Sequence, residues 1–290
     1  MHLIIQQGLL KARRLTKRQL GQIETLVSAC RNHEGLVGTL HLEPPRSLPG
    51  GETNQFLTYQ DGALIGIVTL PPDDNVELLG LVHPDHRRRG IGRALFEAAR
   101  AECRRRGAQT FLLVCEDASP AGQAFAEAMG GHYRFAEYSM ELDPAAFTPS
   151  PPRGKAIAIR RAGEADQDTL IRLASASFDE PEKRRRTQVT AWLGEPNEHL
   201  YIAQLGGRAI GVLRATFMHE AIYLHTLQIR SEFRRRGFGR QLLENIVRDL
   251  LAEGKSVRLE VDTENDIALS LYRSSGFQVI TTYRYYELRA

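Results

Sequence analysis

Apolar residues recur at strand and helix spacing along the chain, and the pattern predicts the same order of elements twice. In the first half, strands over 64–70 and 77–82 precede an amphipathic helix over 91–105. In the second half, strands over 209–217 and 222–229 precede a helix with Leu242, Leu243, Ile246, Val247 and Leu250 on one face. Each half is therefore predicted to be a mixed α/β (α+β) sandwich.

Turn and linker signals divide the chain. Asp61-Gly62 and Gly206-Gly207 each predict a hairpin before the strand that leads into the long helix. Residues 143–155 carry four prolines without apolar periodicity and are typical of a linker. We expect an N-terminal domain over 1–147, a Pro-rich linker over 148–155 and a C-terminal domain over 156–290.

A glycine-bearing motif between strand and helix occurs once in each half. Arg87-x-x-Gly90-x-Gly92 returns as Arg234-x-x-Gly237-x-Gly239, at an offset of 147 positions (234 − 87). Arg13-Arg14 and Arg160-Arg161 keep the same offset (160 − 13 = 147), so the repeat extends to the first strand of each half. The chain is an internal duplication.

Each motif predicts a phosphate-binding loop. Glycines let the backbone curl so that successive N–H groups converge at a helix N-terminus, where the helix dipole also favours an anion. The first phosphate loop comprises Arg87, Arg88, Arg89, Gly90, Ile91, Gly92 and Arg93, and the second comprises Arg234, Arg235, Arg236, Gly237, Phe238, Gly239 and Arg240. A single such motif also serves as an ordinary tight turn, and the duplication is what favours a nucleotide-like ligand.

Composition narrows the classes of function. A chain of 290 residues with 42% apolar and 25% charged residues is typical of a soluble protein of two domains. We expect a cytoplasmic protein that does not cross a membrane, because no apolar stretch reaches about 18 residues. The three cysteines lack the spacing of a disulfide framework or zinc site, which predicts buried thiols and no metal.

The net charge of +3 conceals several arginine triplets, two of which lie inside the phosphate loops. Nucleic-acid binding is therefore disfavoured, since no aromatic-interleaved surface accompanies the basic residues. We expect the charged run 183–186 to be a solvated loop near the acceptor entrance.

With both loops and the segment Asn265-x₅-Leu271-Tyr272-x₃-Gly276-Phe277 in view, the sequence resembles the GCN5-related N-acetyltransferase (GNAT) family over nearly its whole length. The first motif matches the family's acyl-CoA signature throughout, including Val82-x-Pro84. The second has Ile229-Arg230-Ser231 in place of the proline. The resemblance implies two tandem acyl-CoA N-acyltransferase domains, with acetyl-CoA as co-substrate and no metal.

In that family, loop N–H groups bind the pyrophosphate of CoA, and the preceding strand carries a bulge whose freed N–H groups polarise the thioester. The neighbouring strand splays away, so that pantetheine pairs with the sheet like an added strand. By position, the resemblance assigns pantetheine contacts to Leu227, Gln228 and Ile229, with Leu81 and Val82 as their counterparts in the first domain.

Tyr272 and Asn265 are candidates in the helix after the second domain's splayed strand. The resemblance places Tyr272 near the CoA sulfur, where a phenol of pKa about 10 could protonate a thiolate of about 8.5. We favour this acid role over a core tyrosine on an amphipathic helix. Asn265 is expected to cap the helix and to touch the pantetheine.

The general base stays open. Glu260 matches in spacing a Rim-type branch of the family, in which a glutamate on this strand is the base, but it could equally be a surface residue of an alternating strand. His225 is a second candidate, although a core histidine is favoured there. In a tandem family member with an active second domain, the glutamate base occupies the strand position that is Tyr223 here.

The first domain lacks these groups, since the offset of 147 pairs Tyr272 with Phe125, Glu260 with Leu113 and Asn265 with Ala118. We expect acetyl transfer to a primary amine, on a small molecule or a peptide N-terminus, in the second domain only. The alternatives are a non-catalytic acyl-CoA-binding or regulatory protein and an interaction protein that uses a basic face. The expected assembly is a monomer, as a pseudo-dimer, or a homodimer.

Overall fold

The computed structural model describes residues 7–37, 53–70, 77–151, 154–174 and 182–290. The first half contains the strands β1 (Gly8–Ala12), β2 (Gln55–Gln60), β3 (Ala63–Thr69), β4 (Glu77–Val82), β5 (Thr110–Glu116) and β6 (His132–Leu142). Its helices are α1 (Lys17–Glu34), α2 (Ile91–Arg105) and α3 (Pro120–Ala128). The long helix α2 was predicted with these bounds.

The second half repeats this order. Its strands are β7 (Ala158–Arg161), β8 (Glu198–Leu205), β9 (Arg208–Phe217), β10 (Ala221–Ile229), β11 (Ser256–Asp262) and β12 (Phe277–Arg289). Its helices are α4 (Gln167–Ala174), α5 (Glu182–Gly194), α6 (Phe238–Leu251) and α7 (Asp266–Ser274). The prediction of a mixed α/β fold in both halves is confirmed.

The chain forms two compact units that exchange their last strands. Unit 1 consists of Met1–Glu137 together with Thr281–Ala290, and unit 2 is Tyr138–Ile280. The domain boundary at residues 148–155 remains a prediction. Unit 1 includes the end of β12, which follows that segment in the sequence, and unit 2 includes the end of β6, which precedes it.

The strand order in unit 1 is β1-β2-β3-β4-β5, followed by the end of β12, which pairs antiparallel to β5 from Tyr283 to Arg289. In unit 2, β7-β8-β9-β10-β11 is followed by the end of β6. The pairs β4–β5 and β10–β11 are parallel, and both units present the end of their parallel pair to a phosphate loop.

Helical periodicity is reproduced in the core. The predicted face of α6, with Leu242, Leu243, Ile246, Val247 and Leu250, is buried against the apolar face of the unit 2 sheet. Helix α1 begins with a capping box between Thr16 and Gln19, and its C-cap, Gly35, is in the left-handed conformation.

Turns and thiols agree with the sequence. Asp61 and Gly62 both have positive φ (51° and 80°), as do Gly206 and Gly207 (57° and 81°), which is the backbone of a type I′ hairpin turn. The three cysteines are free and buried, so the prediction of buried thiols is confirmed.

The expectation of a solvated loop at residues 183–186 is wrong. These residues lie in α5, and the Arg185 side chain is buried. Within the described ranges, no helix is both long and apolar enough to cross a membrane.

Candidate active site

The parallel strands β10 and β11 separate at the centre of unit 2. Their register runs from Ala221 opposite Ser256 to Leu224 opposite Leu259 and ends there, although both strands continue. The two strands therefore form no further register pair beyond Leu224 and Leu259. This opening is what an extended ligand needs in order to pair with a sheet.

A β-bulge lies at the start of the opening. On the other side of β10, His225 is opposite Arg214 and Gln228 is opposite Val212, so three steps along β10 match two along β9. Thr226 has φ = 51°, which is unusual for a β-branched residue. The bulge expected from the family resemblance is present, and an extra residue of β10 falls outside the ladder.

Gly211 allows β9 to lie close behind the bulge. A Cβ atom at Gly211 would be 2.4 Å from Ile229 Cδ1 and 2.7 Å from the Gln228 carbonyl oxygen. Gln228 itself is buried, and its Oε1 has no hydrogen-bond partner among the described residues. Of the three predicted pantetheine contacts, Leu227 lies within the bulge, and Gln228 and Ile229 follow it where β9 lies close behind β10.

The second phosphate loop closes over the end of β10. Arg234 Nε donates to the Ile229 carbonyl at 2.8 Å, which fixes the loop to the strand. Arg235 and Gly237 have φ values of 59° and 80°, and α6 begins at Phe238. Alternation of left-handed residues with ordinary ones turns consecutive N–H groups to one side, as an anion site requires.

Side chains in this loop differ in what they offer a ligand. Phe238 is buried in the core, so its contribution to a phosphate site is its backbone N–H. Arg240 pairs with Glu244 at 3.1 Å and also donates to Ser274 Oγ. Arg235 and Arg236 are exposed.

A cavity of about 610 Å³ adjoins the loop. Ser150 and Pro151 of the linker form part of its wall, and the Ser150 N–H donates to Glu244 Oε2 at 3.0 Å. The same glutamate binds Arg240. The linker is thus attached to α6 beside the predicted phosphate site.

The first phosphate loop has the same backbone. Arg87 Nε donates to the Val82 carbonyl at 3.1 Å, and Arg88 and Gly90 have φ values of 62° and 82° before α2 begins at Ile91. Arg88, Arg89 and Arg93 are exposed, and Gly92 packs near the Phe125 ring. The two predicted phosphate loops therefore share one backbone conformation.

The strands of unit 1 differ from those of unit 2. Parallel pairing of β4 and β5 ends at Leu78 opposite Leu113, so this unit opens as well. The register of β3 and β4 then runs without a shift from Leu79 opposite Thr69 to Val82 opposite Gly66. Over these described residues unit 1 has the opening but not the bulge.

Tyr272 lies in α7 with its ring packed edge-to-face on Phe277, at 5.9 Å between centroids. Burial raises the pKa of the phenol to about 12. The phenol consequently stays protonated at neutral pH, but it lies more than three pKa units above a thiol of about 8.5. For the predicted acid role of Tyr272, this difference in pKa favours a hydrogen bond to a thiolate over complete proton transfer.

Asn265 is the N-cap of α7. Its Oδ1 accepts from the Ala268 N–H at 3.2 Å, so the predicted capping role is confirmed. The residue is exposed, and its contact with pantetheine stays a prediction.

The two candidate bases stand at the point of separation. His225 and Glu260 each follow one member of the last register pair, so both leave the face that buries Leu224 and Leu259. Glu260 is exposed, and His225 is half-buried with its ring stacked on Tyr223 at 6.4 Å. Both residues therefore lie beside the opening.

A buried polar cluster lies on the face of the sheet that carries His225, and sequence patterns did not indicate it. Glu198 accepts hydrogen bonds from Arg214 Nη1 and from Thr216 Oγ1, at 3.1 and 3.0 Å, and the Arg214 guanidinium covers the Trp192 ring at 4.6 Å. Arg214 is the register partner of His225. The cluster therefore supports the strand that carries a candidate base.

The geometry fits an acyl-CoA thioester. The bulge, the strand end over 227–229 beside the opening and the loop before α6 follow one another along unit 2, in the order that thioester, pantetheine and diphosphate take in the coenzyme. Among the described residues, no cluster of three or more His, Cys, Asp or Glu side chains is placed to hold a metal ion.

Comparisons with known proteins agree with this geometry. The model of the acetyltransferase (GNAT) family matches twice, at residues 22–130 and 168–277. Mycothiol acetyltransferase from Thermomonospora curvata is 30% identical over 280 residues, which is 91% of each chain. N-alpha-acetyltransferase RimI from Mycobacterium tuberculosis is 37% identical over 101 residues, covering 32% of this chain and 61% of its own.

Solved structures share the fold. A GCN5-related N-acetyltransferase from Sphaerobacter thermophilus superposes with a TM-score of 0.76 at 18% identity, covering 97% of this chain and 95% of its own. GNAT acetyltransferases use acetyl-CoA as the acetyl donor. The chain therefore belongs to the acetyltransferase (GNAT) family as a tandem member, and it is an N-acetyltransferase.

Proposed function

We propose that unit 2 transfers the acetyl group of acetyl-CoA to a primary amine, while unit 1 binds an acyl-CoA without transferring it. The observation that carries this proposal is the bulge between His225 and Gln228, which unit 1 lacks over residues 79–82. A bulge frees N–H groups that can be aimed at a carbonyl oxygen as negative charge develops there.

Each functional group of unit 2 has a defined task. Acetyl-CoA supplies the activated acetyl group. The second phosphate loop and its helix N-terminus hold the diphosphate, and residues 227–229 orient the pantetheine arm. The N–H groups freed at the bulge polarise the thioester carbonyl, and Tyr272 donates a hydrogen bond to the leaving sulfur.

The amine must lose a proton to react, and its pKa decides how strong a base is needed. At pH 7, deprotonation costs about 4.6 kcal/mol for a lysine ε-amine and about 1.1 kcal/mol for an α-amine. His225 or Glu260, acting through a water molecule, suffices for the second case. We therefore favour an α-amine or another amine of low pKa as the acceptor.

The relatives suggest which acceptors to test first. Their names favour an amine related to mycothiol and the α-amine of a protein N-terminus. A suitable panel contains a mycothiol-type cysteinyl-sugar amine, short peptides with free N-termini, amino acids and a lysine side-chain amine.

Release of free thiol from acetyl-CoA across this panel tests the proposal. We expect Gly239→Glu to lower kcat/KM at least about 100-fold, because a carboxylate would occupy the anion site. Gly239→Ala is the steric control, since the atom nearest to its Cβ would be Ile229 Cγ1 at 3.7 Å. A larger loss in Gly92→Glu than in Gly239→Glu would assign the reaction to unit 1 and refute the proposal.

A further inference from the structure

Unit 1 contains a cavity of about 540 Å³ at its strand opening. The first phosphate loop contributes Arg87, Arg88 and Gly90 to its lining. Most of its buried lining is apolar, with Glu116 and Ser119 as buried polar members; the apolar residues include Ile67, Leu78, Leu95, Phe96 and Leu113. The cavity thus joins an anion-binding loop to a hydrocarbon-lined interior.

The end of α1 crosses the other side of this cavity. Glu34 accepts from Arg87 Nη2 at 2.8 Å and from Ser119 Oγ at 3.1 Å, which links the first phosphate loop to the start of α3. Three residues later, the Val37 N–H donates to Glu116 at the end of β5 at 2.8 Å. This side of the cavity is therefore spanned by α1 and the residues that follow it, up to Val37.

The α1 wall of the cavity carries apolar positions beside the charged Arg31 and Glu34, and Glu34 is paired with Arg87 at 2.8 Å. Val27 and Cys30 are part of the lining, and the Cys30 thiol donates to the Val82 carbonyl at 3.5 Å. Burial raises the pKa of Cys30 and raises that of Cys115, on the opposite wall, to about 12. Neither thiol is thus a thiolate that could attack a thioester at neutral pH.

The groups needed for transfer are absent from this wall of the opening. The register of β3 and β4 has no bulge over Leu79–Val82, and Phe125 and Leu113 stand where unit 2 has Tyr272 and Glu260. A thioester held here would be neither polarised by freed N–H groups nor assisted at sulfur.

We propose that the unit 1 cavity binds a CoA thioester whose acyl chain is longer than acetyl, with the chain enclosed between the α1 wall and the sheet. The phosphate loop holds the diphosphate, and the pantetheine passes through the opening between β4 and β5. This inference rests on the proposed function for the assignment of transfer to unit 2.

The test uses the full chain carrying Gly239→Glu, so that the second loop no longer binds coenzyme. Calorimetric titration compares CoA with acetyl-, butanoyl- and hexanoyl-CoA. We expect the affinity to rise about fourfold for each added methylene, which is the effect of burying one methylene group. Equal or falling affinity along this series, or no binding of CoA itself, would overturn the proposal.

Val27→Phe, added to the chain that carries Gly239→Glu, tests the contribution of the unit 1 cavity separately from that of the first phosphate loop. We expect this variant to bind CoA as before but to lose the preference for longer chains, since the added ring fills the α1 side. Retained CoA binding also shows that the variant folds. If Val27→Phe kept the preference for longer acyl chains, the proposed location of the acyl chain beside α1 would be wrong.

Amine acetylation is measured separately in the unmodified chain and in Gly239→Glu. Full acetylation by Gly239→Glu would refute the proposed function of unit 2. The chain-length series is a binding measurement, so its outcome decides the unit 1 proposal independently of that result.

Discussion

Leu224 and Leu259 form the last register pair between β10 and β11, and the next residue of β10, His225, begins the bulge on the opposite edge of the same strand. The two irregularities thus lie side by side on one strand. A strand that loses one partner and slips against the other exposes its backbone groups at a single point, which is where a thioester would need them.

The strained residue of the bulge gives the first prediction. Thr226 is β-branched and has φ = 51°, a conformation that costs roughly 1–2 kcal/mol outside glycine. We expect Thr226→Gly to leave the free energy of unfolding unchanged or to raise it by up to about 1 kcal/mol, because relief of strain offsets the greater entropy of unfolded glycine. Urea unfolding measures this effect.

Thr110→Gly is the matched control for Thr226→Gly, since Thr110 is an exposed threonine of β5 without positive φ. It should destabilise by about 1 kcal/mol. An equal loss in both variants would mean that Thr226 is not strained.

The second prediction concerns Tyr272 and pH. Burial raises the pKa of its phenol to about 12, and the protonated form is the one that can donate to sulfur. Its contribution to catalysis is therefore kept below pH 12 and lost only as pH rises through that value. We expect Tyr272→Phe to lower kcat about 100-fold at every pH from 6 to 10.

A pH–rate profile of the unmodified enzyme and of Tyr272→Phe tests the second prediction. If kcat of the unmodified enzyme fell around pH 10 and this fall were absent in Tyr272→Phe, the raised pKa of the Tyr272 phenol would be contradicted. Phe125→Tyr, at the matching position of unit 1, serves as the control for adding a phenol where no bulge was found.

The third prediction concerns the buried pair of Glu198 and Arg214. The Glu198 side chain is 1% exposed and that of Arg214 is 15% exposed. Glu198→Gln should lower the free energy of unfolding by about 3 kcal/mol, because it leaves a largely buried guanidinium without its counter-charge. Glu198→Leu combined with Arg214→Met should recover most of that loss.

Asp168→Asn is the exposed control, since Asp168 pairs with Arg186 at the surface at 3.2 Å. The change there should stay within about 0.5 kcal/mol. Similar losses for Glu198→Gln and Asp168→Asn in urea unfolding would rule out a special contribution of the buried pair.

The fourth prediction concerns Gly211. Alanine at this position would bring Cβ within 2.7 Å of the Gln228 carbonyl oxygen, so β9 or the bulge has to move. We expect a loss of about 2–3 kcal/mol in stability together with a fall in kcat. Gly194→Ala, at the end of α5 with nothing within 4 Å of its Cβ, should not destabilise the protein. Equal effects in both variants would contradict the close approach of β9.

Local periodicity and turn chemistry were enough to predict most elements and both phosphate loops. The apolar spacing of Leu20, Ile23, Leu26 and Val27 predicts a helix from Thr16 to Ala29. Helix α1 extends to Glu34 instead, because its last turn is polar and only the left-handed Gly35 ends it. The phosphate loops were visible because their glycines are required by the backbone within a few residues.

The buried polar cluster around Glu198 depends on strand register, and residue patterns did not predict it. A hairpin counted outward from Gly206-Gly207 pairs Leu205 with Arg208 and would place Glu198 opposite Ala215. A one-residue shift at Ala203/Gln204 places Glu198 opposite Thr216 instead, on the same face as Arg214. The irregularity that creates this polar cluster has no signal in the residue types.

The exchanged strands constrain how this polypeptide folds during translation and where it can be truncated. Unit 1 takes Thr281–Ala290 as its last strand, so β5 has its antiparallel neighbour only once residue 289 has been synthesised. During translation, the β5 edge of the unit 1 sheet therefore stays unpaired with β12 until the end of the polypeptide has been made. A gene truncated after residue 147 encodes a fragment that cannot complete its own sheet, and expression of the isolated halves is the wrong way to assign their activities.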